Sequence, residues 1–517
     1  MERRGRLLIM ILVAAALLVA PVTCLAQPKY GGTLVIGLSQ DLEYLDFHKT
    51  ASSIPASIGQ LVTNCLIEPD RFNNMKPALA ESWDILEDGR VYVFHLRKGV
   101  KFHNGREFTA DDVVFNIKRI QDPKTGASMA SMFADVVSVE AIDKYTVRFN
   151  LKDRSGTHPA SHGGTQYRAP MLAKECINED GSITHPIGTG PFEFVEWNVH
   201  DYLKFKKFDD YWEEGLPYVD EIICPIVPDQ TIRLVALKVG DIDWASFLPP
   251  DVIAPIIDNP PKGVVYSLEG PGYLAGFHFN TSRPPLDDAR VRRAIAHCII
   301  REEHVIPWSY GYGLIINQPF MPSSFWYCDV PTLERDIDKA KALLAEAGYP
   351  DGIDITITYG KEYEEIKGCS ELLEQQVKPA GIRLRMEPMA WTAYVAKVSA
   401  QEYDLFCTGW NPVADPSLIY NPWYLPDGSY NKFIGDYSNP KVTELLLAAA
   451  AEPDNDKRKA LYTEALTIVL TQDVPNIWLS SGVIAQGWRT YVKGYVQPLH
   501  DSFVWSEGGF KRTWLDK

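Results

Sequence analysis

Residues 403–416 hold side chains well suited to ligand binding. The segment reads as a short buried strand that runs into Trp410, a loop interrupted by Pro412, and an aspartate, Asp415, followed by proline. In open α/β sheets, ligands collect beyond the carboxyl ends of strands, where loops supply polar groups and aromatic faces. We therefore predict that Trp410 contacts a ligand through its ring and that Asp415 anchors it. Asp415 has an equally good alternative role, because an Asp-Pro step also braces a loop.

Three side chains elsewhere have suitable chemistry for the same task. Tyr273 and Trp391 offer flat apolar surfaces for sugar faces, aromatic groups or cations. Arg168 lies in a loop rich in glycine, histidine and serine, where its guanidinium could pair with a carboxylate through two hydrogen bonds. Large aromatic residues more often belong to a core and an arginine more often lies at the surface, so both alternatives stay open.

Sequence signals for catalysis and for metal binding are weak. His158 and His162 have the spacing of two metal ligands on a helix, but the neighbouring proline and glycine argue against a helix there. The sequence contains no nucleophile-elbow, zinc-protease or phosphate-loop motif. We therefore expect neither an enzyme nor a metal or cofactor site. A secreted hydrolase such as a glycosidase, which needs only two well-placed carboxylates, is the competing class.

The amino terminus predicts export from the cytoplasm. Three arginines precede the apolar run of residues 7–20, and Ala26 offers a small residue for cleavage before Gln27. This pattern indicates a cleaved signal peptide over residues 1–26 and a periplasmic protein, since the apolar run is shorter than the roughly 20 residues of a spanning helix. A lipid anchor at Cys24 is the less favoured alternative because Thr23 is large for the preceding position.

Length, charge and cysteine content narrow the class further. A chain of 517 residues exceeds the roughly 250–300 at which single cores stop growing, so two or more lobes are expected. The formal charge of −16 argues against nucleic acid or anionic membranes as partners. Apart from Cys24, seven cysteines remain without a Cys-x-x-Cys pair. They permit one or two disulfides but predict no pairing and no metal site.

The elements around the binding segment predict a parallel sheet. Residues 353–359 alternate as a half-buried strand, residues 364–378 form an amphipathic helix that ends before a proline, and residues 382–387 form a second strand. A strand, helix, strand order implies a parallel pair. We also predict a hairpin over residues 83–96, a helix capped by Thr109, and helices over 229–239, 288–305, 337–347 and 456–471.

Blocks spread over nearly the whole chain resemble one family. They are residues 31–34 (GGTL), 45–49 (LDFHK), 79–83 (LAESW), 94–105 (FHLRKGVKFHNG), 109–115 (TADDVVF), 186–192 (PIGTGPF), 279–281 (FNT) and 285–294 (PLDDARVRRA). Together they resemble the extracytoplasmic solute-binding proteins of ABC importers, in the dipeptide, oligopeptide and nickel branch known as family 5.

This resemblance implies an α/β fold, organised as a two-lobed periplasmic-binding-protein clamp of three subdomains with one discontinuous lobe. The implied division is residues 30–68, 187–269 and 490–517 for lobe I, residues 69–186 for a subdomain inserted in it, and residues 270–489 for lobe II. Residues 270–272 (GPG) fit a hinge, or an ordinary turn. The implied function is that of a monomeric receptor, which closes over a peptide or other small polar solute and delivers it to ABC permease subunits. A sensory or chaperone-like binding protein is an alternative use of this clamp.

The binding segment departs from the peptide-binding members of the family. In those relatives an aspartate three residues after the matching tryptophan holds the peptide ammonium group, whereas Val413 occupies that position here. Asp415 resembles the second, Asp-Pro element of the loop, although a differently folded loop could bring it to the same place. The resemblance also places Ser52, Ser53 and Ile54 in a pocket-lining stretch, with a solvated loop as the alternative.

Overall fold

The computed structural model describes residues 27–50, 52–163, 169–270, 272–498 and 502–517. The strands are β1 (Thr33–Gly37), β2 (Ile67–Pro69), β3 (Met75–Pro77), β4 (Ala80–Leu86), β5 (Val91–Leu96), β6 (Val136–Asp143), β7 (Thr146–Leu151), β8 (Phe192–Asn198), β9 (Tyr202–Lys207), β10 (Glu221–Pro225), β11 (Trp244–Ala245), β12 (Val264–Glu269), β13 (Leu274–Phe279), β14 (Ile353–Gly360), β15 (Ile382–Met389), β16 (Leu405–Trp410), β17 (Asn476–Ser481), β18 (Ile484–Arg489), β19 (Val492–Lys493), β20 (Val504–Trp505), β21 (Gly508–Gly509) and β22 (Trp514–Leu515). The α-helices are α1 (Ser53–Val62), α2 (Ala110–Gln121), α3 (Gln230–Val239), α4 (Pro250–Ile253), α5 (Ala289–Ala296), α6 (Arg301–Ser309), α7 (Ile337–Glu346), α8 (Glu364–Val377), α9 (Trp391–Ser399), α10 (Ser417–Tyr424), α11 (Pro440–Ala451) and α12 (Asn455–Ile468).

Lobe I is built on a seven-stranded sheet with the order β12, β18, β11, β1, β10, β9, β8. The central strand β1 is parallel to β10 and β11, while β9 is antiparallel to both of its neighbours, β8 and β10. Leu34 and Ile36 of β1 are fully buried, which fits a strand in the middle of a sheet.

A four-stranded antiparallel sheet, in the order β4, β5, β7, β6, forms the inserted subdomain. The predicted hairpin is confirmed, and its turn passes through Asp88 and Gly89 with positive φ angles of 57° and 88°. The helix predicted at Thr109 is also confirmed as α2. The Thr109 backbone N–H donates to the carboxylate of Asp112 at 2.9 Å, one half of a capping box.

Lobe II contains a five-stranded sheet with the order β15, β14, β16, β13, β17. Strands β14 and β15 are parallel in the register Ile353 to Ile382, and β16 is parallel to β14, so the predicted parallel pair is confirmed. Helix α8 connects β14 to β15 and buries Ile366 and Leu373 in the core of this lobe.

The chain passes between the two large sheets at two adjacent places. The first crossover joins β12 to β13 and the second joins β17 to β18, and they bond to each other because Gly482 N–H donates to Tyr273 O at 2.7 Å. Strand β18 pairs with β12 and β11 in the sheet of lobe I. Residues 484–489, which the predicted division places in lobe II, therefore share a sheet with β11 and β12, and the lobe boundaries stay a prediction.

The predicted helices are present with one exception. Helix α3 begins after Asp229, whose side chain accepts from two backbone amides, and it ends at Gly240 with φ 93°. The single helix predicted over residues 288–305 is wrong, because the chain leaves the helix between α5 and α6. There Ile300 N–H donates to the Gln376 side chain at 3.1 Å, so a tertiary partner replaces the helical hydrogen bond. None of the helices in the described ranges is long and apolar enough to cross a membrane.

Candidate ligand-binding site

The carboxyl edge of the lobe II sheet brings three of the predicted residues together. The parallel strands β14, β15 and β16 end at this edge, and Trp410 is the last residue of β16. Trp391 follows the end of β15, and Tyr273 precedes β13, whose first residue lies opposite Trp410. Residues far apart in sequence therefore share one edge, at the place where open α/β sheets bind ligands.

Tyr273 and Trp410 offer aromatic surface and are held in place by hydrogen bonds to the backbone and by ring packing, respectively. The Tyr273 side chain is 59% exposed, yet its backbone carbonyl accepts from Trp308 Nε1 at 2.8 Å and from the Gly482 amide. Trp410 is half-buried, with its ring centroid 4.7 Å from Trp423 and 4.8 Å from Tyr430. Because these hydrogen bonds already hold the Tyr273 backbone, little backbone freedom is lost when a ligand packs on the ring.

Trp391 lies further along the same edge. It is half-buried, with its ring 4.8 Å from Tyr363 and 5.0 Å from Tyr394. Gly360 permits this packing, since a Cβ added there would lie 2.7 Å from the Trp391 ring. A ligand contact by Trp391 stays a prediction.

Asp415 is occupied by an internal partner. Its carboxylate, 4% exposed, receives two hydrogen bonds from Arg458, with Nη1 to Oδ2 at 2.8 Å and Nη2 to Oδ1 at 2.5 Å. Ser417 adds an N–H bond of 2.9 Å at the start of α10. Burial lowers the pKa of Arg458, but the adjacent Asp415 charge outweighs this, so the pKa lies above its ordinary value. The geometry supports the bracing role of Asp415, and its ligand contact stays a prediction.

Arg458 also links the two lobes. Its Nη1 donates to Gly156 O at 3.2 Å, and Gly156 N–H donates to Ala450 O at 2.8 Å. Gly156 follows β7 of the inserted subdomain, whereas Ala450 and Arg458 belong to α11 and α12 of lobe II. A Cβ on Gly156 would lie 1.8 Å from Glu452 O, so only glycine fits this contact.

Gly156→Ala is therefore expected to separate the inserted subdomain from lobe II. The added methyl group cannot share space with the Glu452 carbonyl, and both Gly156 hydrogen bonds would be lost. Small-angle scattering should show a larger radius of gyration for the variant. Gly105→Ala is the control in the same subdomain, because a Cβ there meets no atom within 4 Å and only its φ of 83° is strained. Equal dimensions for Gly156→Ala and wild type would contradict the expectation.

The remaining predicted residues lie elsewhere. Ser53 begins α1 and Ser52 precedes it, whereas Ile54 is buried in the core of lobe I. No hydrogen bond or ring contact within the described residues joins Ser52 or Ser53 to Trp410. Arg168 lies outside the described residues. The ligand contacts of these four residues stay predictions.

His158 and His162 face each other, although the neighbouring proline and glycine argued against a helix that would align them. They lie at the two ends of a single 3₁₀ turn, with their Nε2 atoms 3.0 Å apart. Pro159 is tolerated because it occupies the first turn, where its missing N–H has no helical partner. Across the described ranges, no group of three metal-ligating side chains is present, and the seven cysteines are buried free thiols.

A separate surface cavity of about 380 Å³ opens on lobe I. Tyr44, Asp46, Ile183 and Trp197 are among its lining residues. Arg119 already holds the Asp46 carboxylate through two hydrogen bonds of 3.0 and 2.6 Å. We assign the candidate site to the sheet edge of lobe II, which carries Tyr273, Trp391 and Trp410 as exposed and half-buried aromatic residues.

Comparison with known proteins identifies the fold family. The model of the bacterial extracellular solute-binding proteins, family 5 (middle), matches residues 74–431. The chain is a family 5 solute-binding protein. Proteins of this family are extracytoplasmic substrate receptors of ABC importers.

Relatives of this family 5 protein have different named ligands. Heme-binding protein A of Haemophilus influenzae is 31% identical over 470 residues, which cover 85% of each chain. The glutathione-binding protein GsiB of Pectobacterium atrosepticum is 28% identical over 510 residues, with 94% of this chain and 96% of the relative covered.

Solved structures agree on the two-lobed architecture. HbpA2 from Haemophilus parasuis superposes with a TM-score of 0.83 at 26% identity, covering 94% of this chain and 100% of its own. DppA from Helicobacter pylori, in complex with the peptide STSA, gives 0.70 at 26% identity, covering 95% and 99%. The predicted α/β clamp is thereby confirmed.

Two residues in and around the candidate site of this family 5 protein were not predicted from sequence. Arg458 lies in a helix that was predicted from sequence without a role for this residue, and its partner Asp415 is 43 residues away. His278 lies behind Trp410 in a strand of apolar residues. A histidine in the middle of a buried strand was the available signal.

Proposed function

We propose that this protein captures a small peptide or other small polar solute at the carboxyl edge of the lobe II sheet and delivers it to the permease of an ABC importer. The observation that carries the proposal is the exposed Tyr273 ring on an immobilised backbone next to half-buried Trp410. Such aromatic pairs supply contact area to a solute enclosed between two lobes.

The state of Asp415 limits how a peptide would bind. A peptide ammonium group needs a carboxylate with free lone pairs, because burying an unpaired charge costs several kcal/mol. The Asp415 carboxylate already accepts from Arg458 and Ser417. We therefore infer that the solute is held through its apolar groups and amides rather than through an ammonium pair with Asp415. The relatives named for glutathione and for a bound peptide support an amide-containing solute.

We further propose the positions of the lobes and of the hinge. Lobe I comprises residues 30–68, 187–269 and 484–517, the inserted subdomain residues 69–186, and lobe II residues 274–481. The two crossovers between β12 and β13 and between β17 and β18 support this division. Gly270, with φ 91°, and Gly272 lie in the first crossover and fit the predicted hinge, while Pro271 lies outside the described residues.

We also propose that the protein is exported, acts as a monomer and catalyses no reaction. Residues 1–26 are proposed to be a cleaved signal peptide, and they lie outside the described residues. The mature chain is proposed to act as a monomeric, non-catalytic receptor. Family membership supports the non-catalytic role, because the named relatives are binding proteins.

The proposal is tested by identifying the bound solute. Protein purified from its native source is denatured, and the released small molecules are analysed by mass spectrometry. A peptide or a peptide-like amide is the expected result. Calorimetry with short peptides, glutathione and haemin then ranks these classes. Release of a haem or a sugar would contradict the proposed solute class, and turnover of the solute by the purified protein would contradict the receptor role.

Tyr273→Ala and Trp410→Ala are expected to raise the Kd of the tightest of these solutes by about ten- to a hundredfold, as for buried aromatic contacts. Calorimetric titration measures the change, and thermal unfolding reports on folding. Tyr44→Ala is the matched control, because this half-exposed tyrosine lines the separate cavity on lobe I. If Tyr44→Ala weakened binding and Tyr273→Ala did not, the site would lie in the cavity instead.

A further inference from the structure

His278 lies in β13 directly behind Trp410 and is completely buried. Its Nε2 atom is 3.1 Å from Nε1 of Trp410. The indole N–H is a donor only, so Nε2 of His278 must accept this hydrogen bond. The neutral imidazole therefore carries its proton on Nδ1.

The His278 ring is fixed by stacking on both faces. Its centroid is 4.6 Å from Trp423 with an interplanar angle of 9°, and 4.9 Å from Phe406 with an angle of 25°. Burial lowers the pKa of His278 to about 3, which keeps the ring neutral at ordinary pH. Because the His278 ring is stacked on both faces and its tautomer is fixed, the lone pair of Nε2 points in one direction.

Among the ring nitrogens of His278, Trp410 and Trp423, only those of the Trp410–His278 hydrogen bond have a partner within the described residues. Nδ1 of His278 and Nε1 of Trp423 have no hydrogen-bond partner within the described residues. A buried polar group without a partner costs about 1–3 kcal/mol. Two buried ring nitrogens therefore stay without a hydrogen bond, whereas the indole N–H of the partly exposed Trp410 has one.

We propose that His278 is a positioning residue for solute binding, which fixes the rotation of the Trp410 indole at the edge of the lobe II sheet. The proposal rests on the proposed function, in which Trp410 contacts the solute. A ring that is held in one orientation presents the same face to each incoming solute, so less conformational freedom is lost on binding.

His278→Phe tests this directly, because phenylalanine keeps a flat ring between Trp423 and Phe406 and removes the acceptor. The probe is whichever of short peptides, glutathione or haemin binds wild type most tightly. We expect its Kd to rise about five- to tenfold. Trp410→Phe, which removes the donor, should have a similar effect, and the double variant should be no weaker than either single variant.

A spectroscopic signal separates positioning from packing. The indole N–H resonance of Trp410, assigned by its loss in Trp410→Phe, should shift upfield in His278→Phe because its acceptor is gone. His278→Gln restores an acceptor without the ring and should partly reverse the shift. His304→Phe is the matched control, a buried histidine that packs against Phe277 in lobe II, and it should change neither the resonance nor the Kd.

Two results would overturn the positioning role. One is wild-type affinity for His278→Phe when Trp410→Phe binds more weakly. The other is additive losses in the double variant, since independent effects require no bond between the residues. If Trp410→Ala and Tyr273→Ala both bind like wild type, the proposed site itself fails and the positioning role fails with it.

Discussion

Replacing Arg458 with methionine is expected to lower the free energy of unfolding by about 3–5 kcal/mol, because it leaves the Asp415 carboxylate buried without a charge partner. Both side chains are almost inaccessible, at 1% and 4% exposure. Methionine keeps much of the apolar stem of Arg458 but loses the guanidinium, which lies 4.8 Å from the centroid of the Trp326 ring, so the lost charge dominates the effect. Urea unfolding followed by circular dichroism measures the change.

A surface pair of similar geometry provides the control. Arg383 grips Asp354 through two hydrogen bonds of 2.7 Å, but both side chains are more than half exposed. Arg383→Met should lower the free energy of unfolding far less than Arg458→Met, because water screens the exposed pair. The double variant Arg458→Met with Asp415→Asn should recover part of the loss, since no buried charge remains. If Arg458→Met lowered the free energy of unfolding no more than Arg383→Met, the buried pair would contribute no more to stability than the exposed pair.

Lowering the pH from 7 to 5 is expected to destabilise the folded protein by several kcal/mol. Burial lowers the pKa of five histidines, to about 4 for His48 and His103, to about 3 for His158 and His278, and well below the ordinary value for His162. The unfolded chain binds protons at these residues near pH 6.5, whereas the folded protein does not. Stability is therefore lost as the pH falls below 6.5, by on the order of 1 kcal/mol per pH unit for each histidine.

The pH window separates the histidines from most carboxylates. A carboxylate whose pKa is lowered by folding, such as Glu107, loses its contribution only below its unfolded value, near pH 4.5. Glu68 opposes the trend, because burial raises its pKa. Urea unfolding at pH 7, 6 and 5 gives the slope, which should be shallower in a His158→Leu, His162→Leu variant. A free energy of unfolding that stays constant across this range would show that the buried rings accept protons in the folded state.

Local signals were sufficient to predict much of the fold. The turn at Asp88 and Gly89 and the ends of α3 at Asp229 and Gly240 depend on residues within a few positions, so they can be read from sequence. The parallel pair β14 and β15 follows from a strand, helix, strand order. Each of these predictions depends on residues within or between neighbouring elements of the chain.

The sequence was less informative where distant residues compete with local preference. The break between α5 and α6 depends on Gln376, which lies 76 residues beyond Ile300. The membership of β18 in the lobe I sheet depends on its pairing with β12, more than 200 residues earlier. In the candidate site, the aromatic residues could be predicted from type and strand position, whereas the Arg458 partner of Asp415 could not.

The inserted subdomain is attached to both lobes, by its chain to lobe I and by the two Gly156 hydrogen bonds to lobe II. A rigid subdomain that is attached to both lobes restrains their movement relative to each other. For the lobes to separate by rotation about the paired crossovers, the inserted subdomain must either release its contacts with lobe II, at Gly156 and at Asn74, whose Oδ1 accepts from Phe325 N–H, or bend where it joins lobe I near residues 69 and 186. Opening is then a movement of three bodies, and the preference of a solute for the closed arrangement has to offset the release and re-formation of that attachment.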